Sequence, residues 1–140
     1  MRQSCDTLLS LVALDEGQVV GHILFSPVTI PNGKDVVQGM GLGPLGVLPA
    51  FQLRGIGSKL VETGLRILGE HSIPFVAVLG HAEYYPRFGF ERASLHGILS
   101  QWQGVPDEAF MLVVNDAEAL HSVKGVAYFR TEFDAAVNNE

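Results

Sequence analysis

The chain has 140 residues, 47% of them hydrophobic and 17% charged, which is the size of one ordinary domain spanning residues 1–140 and enough apolar material for a core; disorder is excluded. Lys plus Arg number 9 against 15 Asp plus Glu, a net charge of -6 and the wrong sign for a general nucleic-acid binder. No apolar run reaches the roughly 20 residues that span a bilayer, the polar start is no signal peptide, and the one cysteine, Cys5, cannot make an internal disulfide, so the sequence predicts a cytoplasmic protein without membrane attachment.

Leu8 to Leu14 is a nearly continuous apolar run that ends at the turn signal Asp15-Glu16-Gly17. Gln18 to Ile30 follows, rich in β-branched residues, and the pair predicts a β-hairpin. Pro31 to Asp35 is a second turn. Val36 to Val47 predicts a third extended stretch, crowded with glycine and interrupted by Pro44; glycine inside a strand marks a bulge or a place where a ligand nears the backbone. Gln52 to Gly57 is a tight loop. Gly55 to Glu70 is the clearest helix, with Ile56, Leu60, Val61, Leu65 and Leu68 at helical spacing and Lys59, Glu62 and Arg66 on the other side. Phe75 to Leu79 predicts a strand buried on both faces. Ala82 to Phe88 predicts a short helix stopped by Gly89, and Phe110 to Val114 another strand. Gly125 to Phe133 reads equally as strand or loop. The order predicts a mixed α/β (α+β) fold with one helical crossover between two parallel strands.

Charge is uneven along the chain. Residues 51–100 hold five Lys or Arg against four Glu, a net of +1, whereas residues 101–140 hold two positive and seven negative side chains, a net of -5. An anionic ligand therefore belongs on the middle third. There, Leu45-Gly46-Val47 leads through Gln52-x-x-Gly55-x-Gly57 into a helix with Ser58 and Lys59 in its first turn. A helix N-terminus offers free N–H groups and partial positive charge, glycines let an anion come close, and Arg54 and Lys59 add full charges; the arrangement suits a phosphate or pyrophosphate. A second unit follows at Tyr84-Tyr85-Pro86-Arg87-Phe88-Gly89-Phe90. Core packing with Gly89 as a helix cap accounts for Phe90, but a buried phenol such as Tyr85 needs a partner.

Together the two units resemble the GNAT superfamily of acetyl-CoA-dependent N-acetyltransferases, over roughly Leu8 to Val114. That family carries Q/R-x-x-G-x-G/A at the start of its central helix, here Gln52, Gly55 and Gly57, and Y-x-x-x-G-F further on, here Tyr85, Gly89 and Phe90. The FSPV and YYPRFGF runs look like a bacterial subgroup of such acetyltransferases. The resemblance implies a GNAT-like mixed sheet with a central helix after the Gly-rich strand, and acetyl-CoA as co-substrate. It implies that backbone groups of Leu45, Gly46 and Val47 hold the pantetheine arm. The amides of Leu53, Arg54, Gly55, Ile56, Gly57 and Ser58 would cradle the pyrophosphate, with Gln52 and Phe88 also at the cofactor. Tyr85 would donate a hydrogen bond to the departing thiolate; a thiol has a pKa of about 8.5 and a phenol about 10, so the thiolate can leave without complete proton transfer. The implied acceptor is a primary amine on a small molecule or peptide.

An amine with a pKa of about 10.4 is neutral in only about one molecule in 10³ at pH 7. His22, His81, His96, Asp107 and Glu108 are the candidate bases, and no Glu lies between Val36 and Val47, where the family often has one. Orientation alone can supply up to about 7 to 11 kcal/mol. The family's first strand and one or two helices are expected to be missing here, since seven residues precede Leu8, and the uncovered edge predicts a homodimer. A non-catalytic acyl-CoA-binding module and a truncated acetyltransferase are the competing readings. Gly41 to Gly46 matches G-x-G-x-x-G but leads into no helix, and no G-K-[ST] follows a Gly-rich loop. The histidines lack metal-ligand spacing, Cys5 reads as inert, and Trp102 reads as packing at what could be a substrate mouth.

Overall fold

The computed structural model describes residues 8–129. Strands β1 (Leu9–Asp15) and β2 (Gln18–Asn32) form the expected hairpin, and β3 (Asp35–Val47) pairs antiparallel along the other edge of β2. Helix α1 (Ile56–Glu70) then crosses over to β4 (Phe75–Leu79), which lies parallel to β3. The two-residue β5 (Glu91–Arg92), β6 (Ile98–Ser100), β7 (Phe110–Val114), a one-turn α2 (Ala117–Leu120) and β8 (Gly125–Phe129) complete the chain order. In space the strands run β5-β7-β4-β3-β2-β8-β6. β2 is long enough to hold β1 against its first half and β8 against Val28 and Thr29. The undecided segment is thus a strand over Gly125–Phe129; its remainder, like Cys5, lies outside the described residues.

Each face of the sheet carries its own core. Ile23, Phe25, Met40, Leu42, Val76 and Val78 meet Leu60, Val61 and Leu68 of α1. Gly64 is why the helix sits so close: a Cβ there would collide with the ring of Phe25. The opposite face buries Val28, Ile30, Phe75, Phe110, Leu112 and Phe129. The glycines of β3 divide between two causes. Gly39 and Gly41 make room for the rings of Phe75 and Phe129, which is packing. Gly43-Pro44 is a bulge: Ile23 opposes Leu45 and Phe25 opposes Leu42, so β3 spends one residue more than β2 between those pairs.

The bulge comes where β3 and β4 separate. Their pairing covers Met40–Leu42 against Val76–Val78 and then stops. β3 runs on to Val47 beside β2, while the chain after β4 turns toward β7, with the Gly80 N–H donating to Ala109 O at 2.9 Å. The expected helix over Ala82–Phe88 is a single 3₁₀ turn, Tyr85–Phe88. Pro86 removes a backbone donor, and Gly89 ends the turn at φ 99°. No described helix is long and apolar enough to cross a membrane.

Candidate active site

The parting of β3 and β4 opens a groove of about 460 Å³. Its floor is Leu45, Gly46 and Val47; the loop before α1 and the first turn of α1 form one wall, Tyr84 and Arg87 the other. Gly55 enters the helix at φ 82°, a conformation that glycine adopts without strain, and no side chain caps the helix start. Lys59 is the first residue whose N–H is taken by the helix ladder, donating to Gly55 O at 3.0 Å, so the N–H groups of Ile56, Gly57 and Ser58 have no partner within the helix.

The strand floor is polar in the same sense. Leu48 N–H donates to Val20 O at 2.9 Å. Hydrogen-bonded pairs alternate along an antiparallel ladder, so Gly46 is bonded to its register partner His22, while the backbone groups of Leu45 and Val47 point away from β2 and into the groove. The Val47 carbonyl is already held by Gln52 Nε2 at 3.0 Å, which ties the loop to the strand. The free edge therefore consists of the Leu45 N–H and C=O and the Val47 N–H, and Gly46 contributes space.

Nine of the expected cofactor residues line this groove: Leu45, Gly46, Val47, Gln52, Leu53, Gly55, Ile56, Gly57 and Ser58. Arg54 is beside it, its guanidinium 5.0 Å from the centre of the Phe51 ring. Phe88 lies behind the wall, edge-on to Tyr84 at 5.2 Å. Three lining residues, Phe51, Tyr84 and Arg87, were not expected. Tyr84 and Arg87 stood inside the YYPRFGF run, where their three-residue spacing is the signal that could have placed both on one side of a turn. The Tyr84 hydroxyl and Ser58 Oγ are hydrogen-bonded at 3.0 Å, joining this wall to the start of α1. Arg87 holds Tyr84 from behind, with Nε donating to the Tyr84 carbonyl at 3.0 Å and the guanidinium 4.8 Å from the ring centre. No acidic residue lines the groove.

Tyr85 is 7% exposed. Its ring stands edge-on to Tyr84 at 5.0 Å and to Phe90 at 5.7 Å, against the backbone of Gly80 at the end of β4. Its hydroxyl makes no hydrogen bond among the described residues, yet it is not sealed from solvent; the one sealed polar side-chain atom without a partner there is Ser26 Oγ. Burial, and secondarily the neighbouring Tyr84, pushes the Tyr85 phenol up to about 12. It stays protonated and can donate but not accept a proton near neutral pH.

The candidate bases scatter. His96 pairs with Glu91 at 3.1 Å and Asp107 with Arg92 at 3.3 Å, while His81 and Glu108 are exposed. His22 is half-buried on β2, bonded through Nε2 to Ser10 Oγ at 3.0 Å. No group of three metal-binding side chains occurs among the described residues.

This pairing of a split β3/β4 edge with a bare helix start is matched by family: residues 6–92 fit the acetyltransferase (GNAT) domain. The chain belongs to the GNAT family. The Escherichia coli (strain K12) protein named Uncharacterized N-acetyltransferase YhbS is 36% identical over 135 residues, 96% of this chain and 79% of that one. The crystal structure of Escherichia coli YhbS in complex with CoA matches with a TM-score of 0.81 at 35% identity, covering 89% of this chain and 68% of its own. A GNAT acetyltransferase of Brucella melitensis in complex with acetyl-CoA matches with a TM-score of 0.66 at 35% identity, again over 89% of this chain and 68% of its own. This GNAT chain is accordingly an acyltransferase with a mixed α+β fold.

Proposed function

We propose that this GNAT enzyme transfers the acetyl group of acetyl-CoA to a primary amine by direct attack, with Tyr85 as the hydrogen-bond donor to the departing thiolate. The groove carries the reading. It offers an elongated ligand three free helix N–H groups at one end and an unpaired strand edge along its floor, in the family's arrangement. Complexes of the two relatives with CoA and acetyl-CoA support acetyl-CoA as the ligand. The N–H groups of Ile56, Gly57 and Ser58, with Arg54 and Arg87 nearby, would take the pyrophosphate, and the Leu45 and Val47 edge the pantetheine amides.

In the reaction the amine nitrogen bonds to the acetyl carbonyl carbon as the carbon–sulfur bond breaks. The proton released by nitrogen passes to water, and the sulfur leaves with the electron pair as a thiolate. Tyr85 fits the donor role because its phenol is held protonated in a place that excludes most water. Its high pKa favours donation of a hydrogen bond over complete transfer, since a thiolate conjugate to an acid of pKa about 8.5 can exist unprotonated at neutral pH.

Isothermal titration with acetyl-CoA tests the groove. Wild type should bind in the micromolar range, and Gly57→Glu, which puts a carboxylate on the α1 wall of the groove near the Tyr84 hydroxyl, should abolish binding while leaving the thermal midpoint within a few degrees. Absence of binding by folded wild type would overturn the reading. Release of free thiol from acetyl-CoA only when an amine is present separates the transferase from a module that merely holds the cofactor.

A further inference from the structure

Helix α1 and its core close one face of the sheet where β3 and β4 part, and the groove occupies what remains of that side. The opposite face is the side from which an acceptor can enter without competing with a ligand in the groove. A second cavity, of about 250 Å³, lies there. Its wall includes Phe110, the register partner of Leu79 at the end of β4. Two residues beyond its Asp107, Ala109 accepts the hydrogen bond from Gly80, the residue against which the Tyr85 ring rests. The groove side and this cavity thus straddle one short stretch of β4.

The cavity is built rather than incidental. Trp102 packs against Phe129 with ring centres 5.0 Å apart, and Phe129 fills the space over Gly41 on β3. Ser100 Oγ accepts from the Trp102 N–H at 2.9 Å and donates to the Trp102 carbonyl at 3.2 Å, and Gln101 Oε1 accepts from the Phe129 N–H at 2.6 Å. Ser100 thus holds the Trp102 backbone, and Phe129 packs against its ring. Leu99, Val105 and Pro106 continue the apolar wall, and Asp107 also lines the cavity, three residues before Phe110 and paired with Arg92 of β5. Arg92 reaches one carboxylate oxygen of Asp107 at 3.3 Å; Oδ1 makes no hydrogen bond among the described residues. That pair is exposed on both sides, so an incoming ammonium can share the carboxylate at little cost.

We propose that this cavity is the acceptor site and that it takes a small monoamine with a flat apolar body, an arylalkylamine, its ring beside Trp102 and its ammonium at Asp107. The inference rests on the acetyl-transfer reading above. A single carboxylate and a mainly apolar wall do not suit a polycation, and the volume limits the ligand to a small molecule.

The test compares 2-phenylethylamine and tryptamine with spermidine, kanamycin and a lysine peptide as acceptors. It uses wild type, Asp107→Asn, Trp102→Ala and, because Trp102→Ala removes packing, Ser94→Phe, which fills the cavity from an exposed position. The arylalkylamines should have the highest kcat/KM. Asp107→Asn should raise their KM roughly tenfold to a hundredfold, the range of a hydrogen bond to a charged group. Ser94→Phe should do the same with the fold intact, and acetyl-CoA affinity should stay within about twofold throughout. Preference for spermidine, kanamycin or the peptide overturns the proposal, as does an arylalkylamine KM that Asp107→Asn and Ser94→Phe leave unchanged. Binding of acetyl-CoA with no amine acetylated overturns this acceptor site while leaving the groove; failure of acetyl-CoA to bind removes the reading beneath it and the proposal together.

Discussion

The two faces of the sheet at the end of β4 are made of different material. On the helix side, a 15-residue helix, a long strand and a single aromatic turn meet in a dense core, and Tyr85 is held there by ring contacts on several sides. On the opposite side, residues 93–109 form short 3₁₀ turns and a three-residue strand, with an exposed ion pair at Arg92 and Asp107. The first region fixes a few backbone donors and one phenol, and small displacements there are costly because the core cannot relax. The second presents side chains from irregular chain on a rigid support, which is how binding residues are commonly carried. The contrast implies that chemistry and acceptor choice respond to substitution separately.

The largest expected effect is Tyr85→Phe. Loss of one positioned hydrogen-bond donor to developing negative charge costs about 10² to 10³ in kcat. The hydroxyl has no protein hydrogen bond among the described residues, so its removal should leave the thermal midpoint and acetyl-CoA affinity nearly unchanged. Turnover, calorimetric binding and thermal unfolding on one preparation check this. Unchanged turnover would remove Tyr85 from the mechanism, and a large stability loss would make it mainly a core residue.

Gly80→Ala should come next. Its Cβ would lie 2.5 Å from Cε2 of Tyr85, so the ring must shift. Overpacking of this kind costs about 1 to 3 kcal/mol, and a phenol moved from its place should lower kcat by about tenfold or more. Gly46→Ala is the control: nothing lies within 4 Å of a Cβ there, and stability should not change.

The helix side was the legible one because its signals are local. The apolar positions of α1, the turn before β2 and the Gln52-x-x-Gly55-x-Gly57 spacing can each be read within a few residues, and the crossover they predicted is present. Gly64 was missed because its cause, the Phe25 ring, is 39 positions away in the chain (64 minus 25). The run after β4 reads as a helix over Ala82–Phe88 stopped by Gly89, but Pro86 cannot donate within a helix begun at Ala82, so only the 3₁₀ turn Tyr85–Phe88 forms, and it puts Tyr84 and Arg87 on the groove. The opposite face was nearly invisible. Trp102 meets Phe129 through the parallel pairing of β6 and β8, and nothing near either residue in sequence announces that contact. Asp107 is one of five candidate bases that sequence cannot rank; only the fold sets it against Arg92 of β5 and on the wall of the second cavity.

A pH profile sharpens the division further. With its phenol pushed up to about 12, Tyr85 is protonated across the working range, and it should produce no falling limb in kcat/KM below about pH 11. An amine acceptor of pKa about 10 should instead give a rising limb as its neutral form accumulates. A decline that sets in between pH 8 and 9 and disappears in Tyr85→Phe would keep Tyr85 as the donor but contradict a phenol held up near 12 by burial.

Tyr84→Phe should have the smallest effect and gives the finest distinction between the adjacent tyrosines. Tyr84 faces the groove and binds Ser58 at 3.0 Å, whereas Tyr85 lies behind it. Removing the Tyr84 hydroxyl deletes one neutral hydrogen bond, worth about 0.5 to 1.5 kcal/mol, between the groove wall and the start of α1. The ring and its Arg87 support remain, so the wall keeps its shape. Acetyl-CoA affinity should fall by roughly twofold to tenfold with kcat unchanged. Ser58→Ala should match it, and the double variant should lose little more, because both single changes break the same bond. Additive losses would mean that each hydroxyl meets the cofactor separately. A fall in kcat as large as that of Tyr85→Phe would mean that the groove-facing tyrosine, not the buried one, is the proton donor.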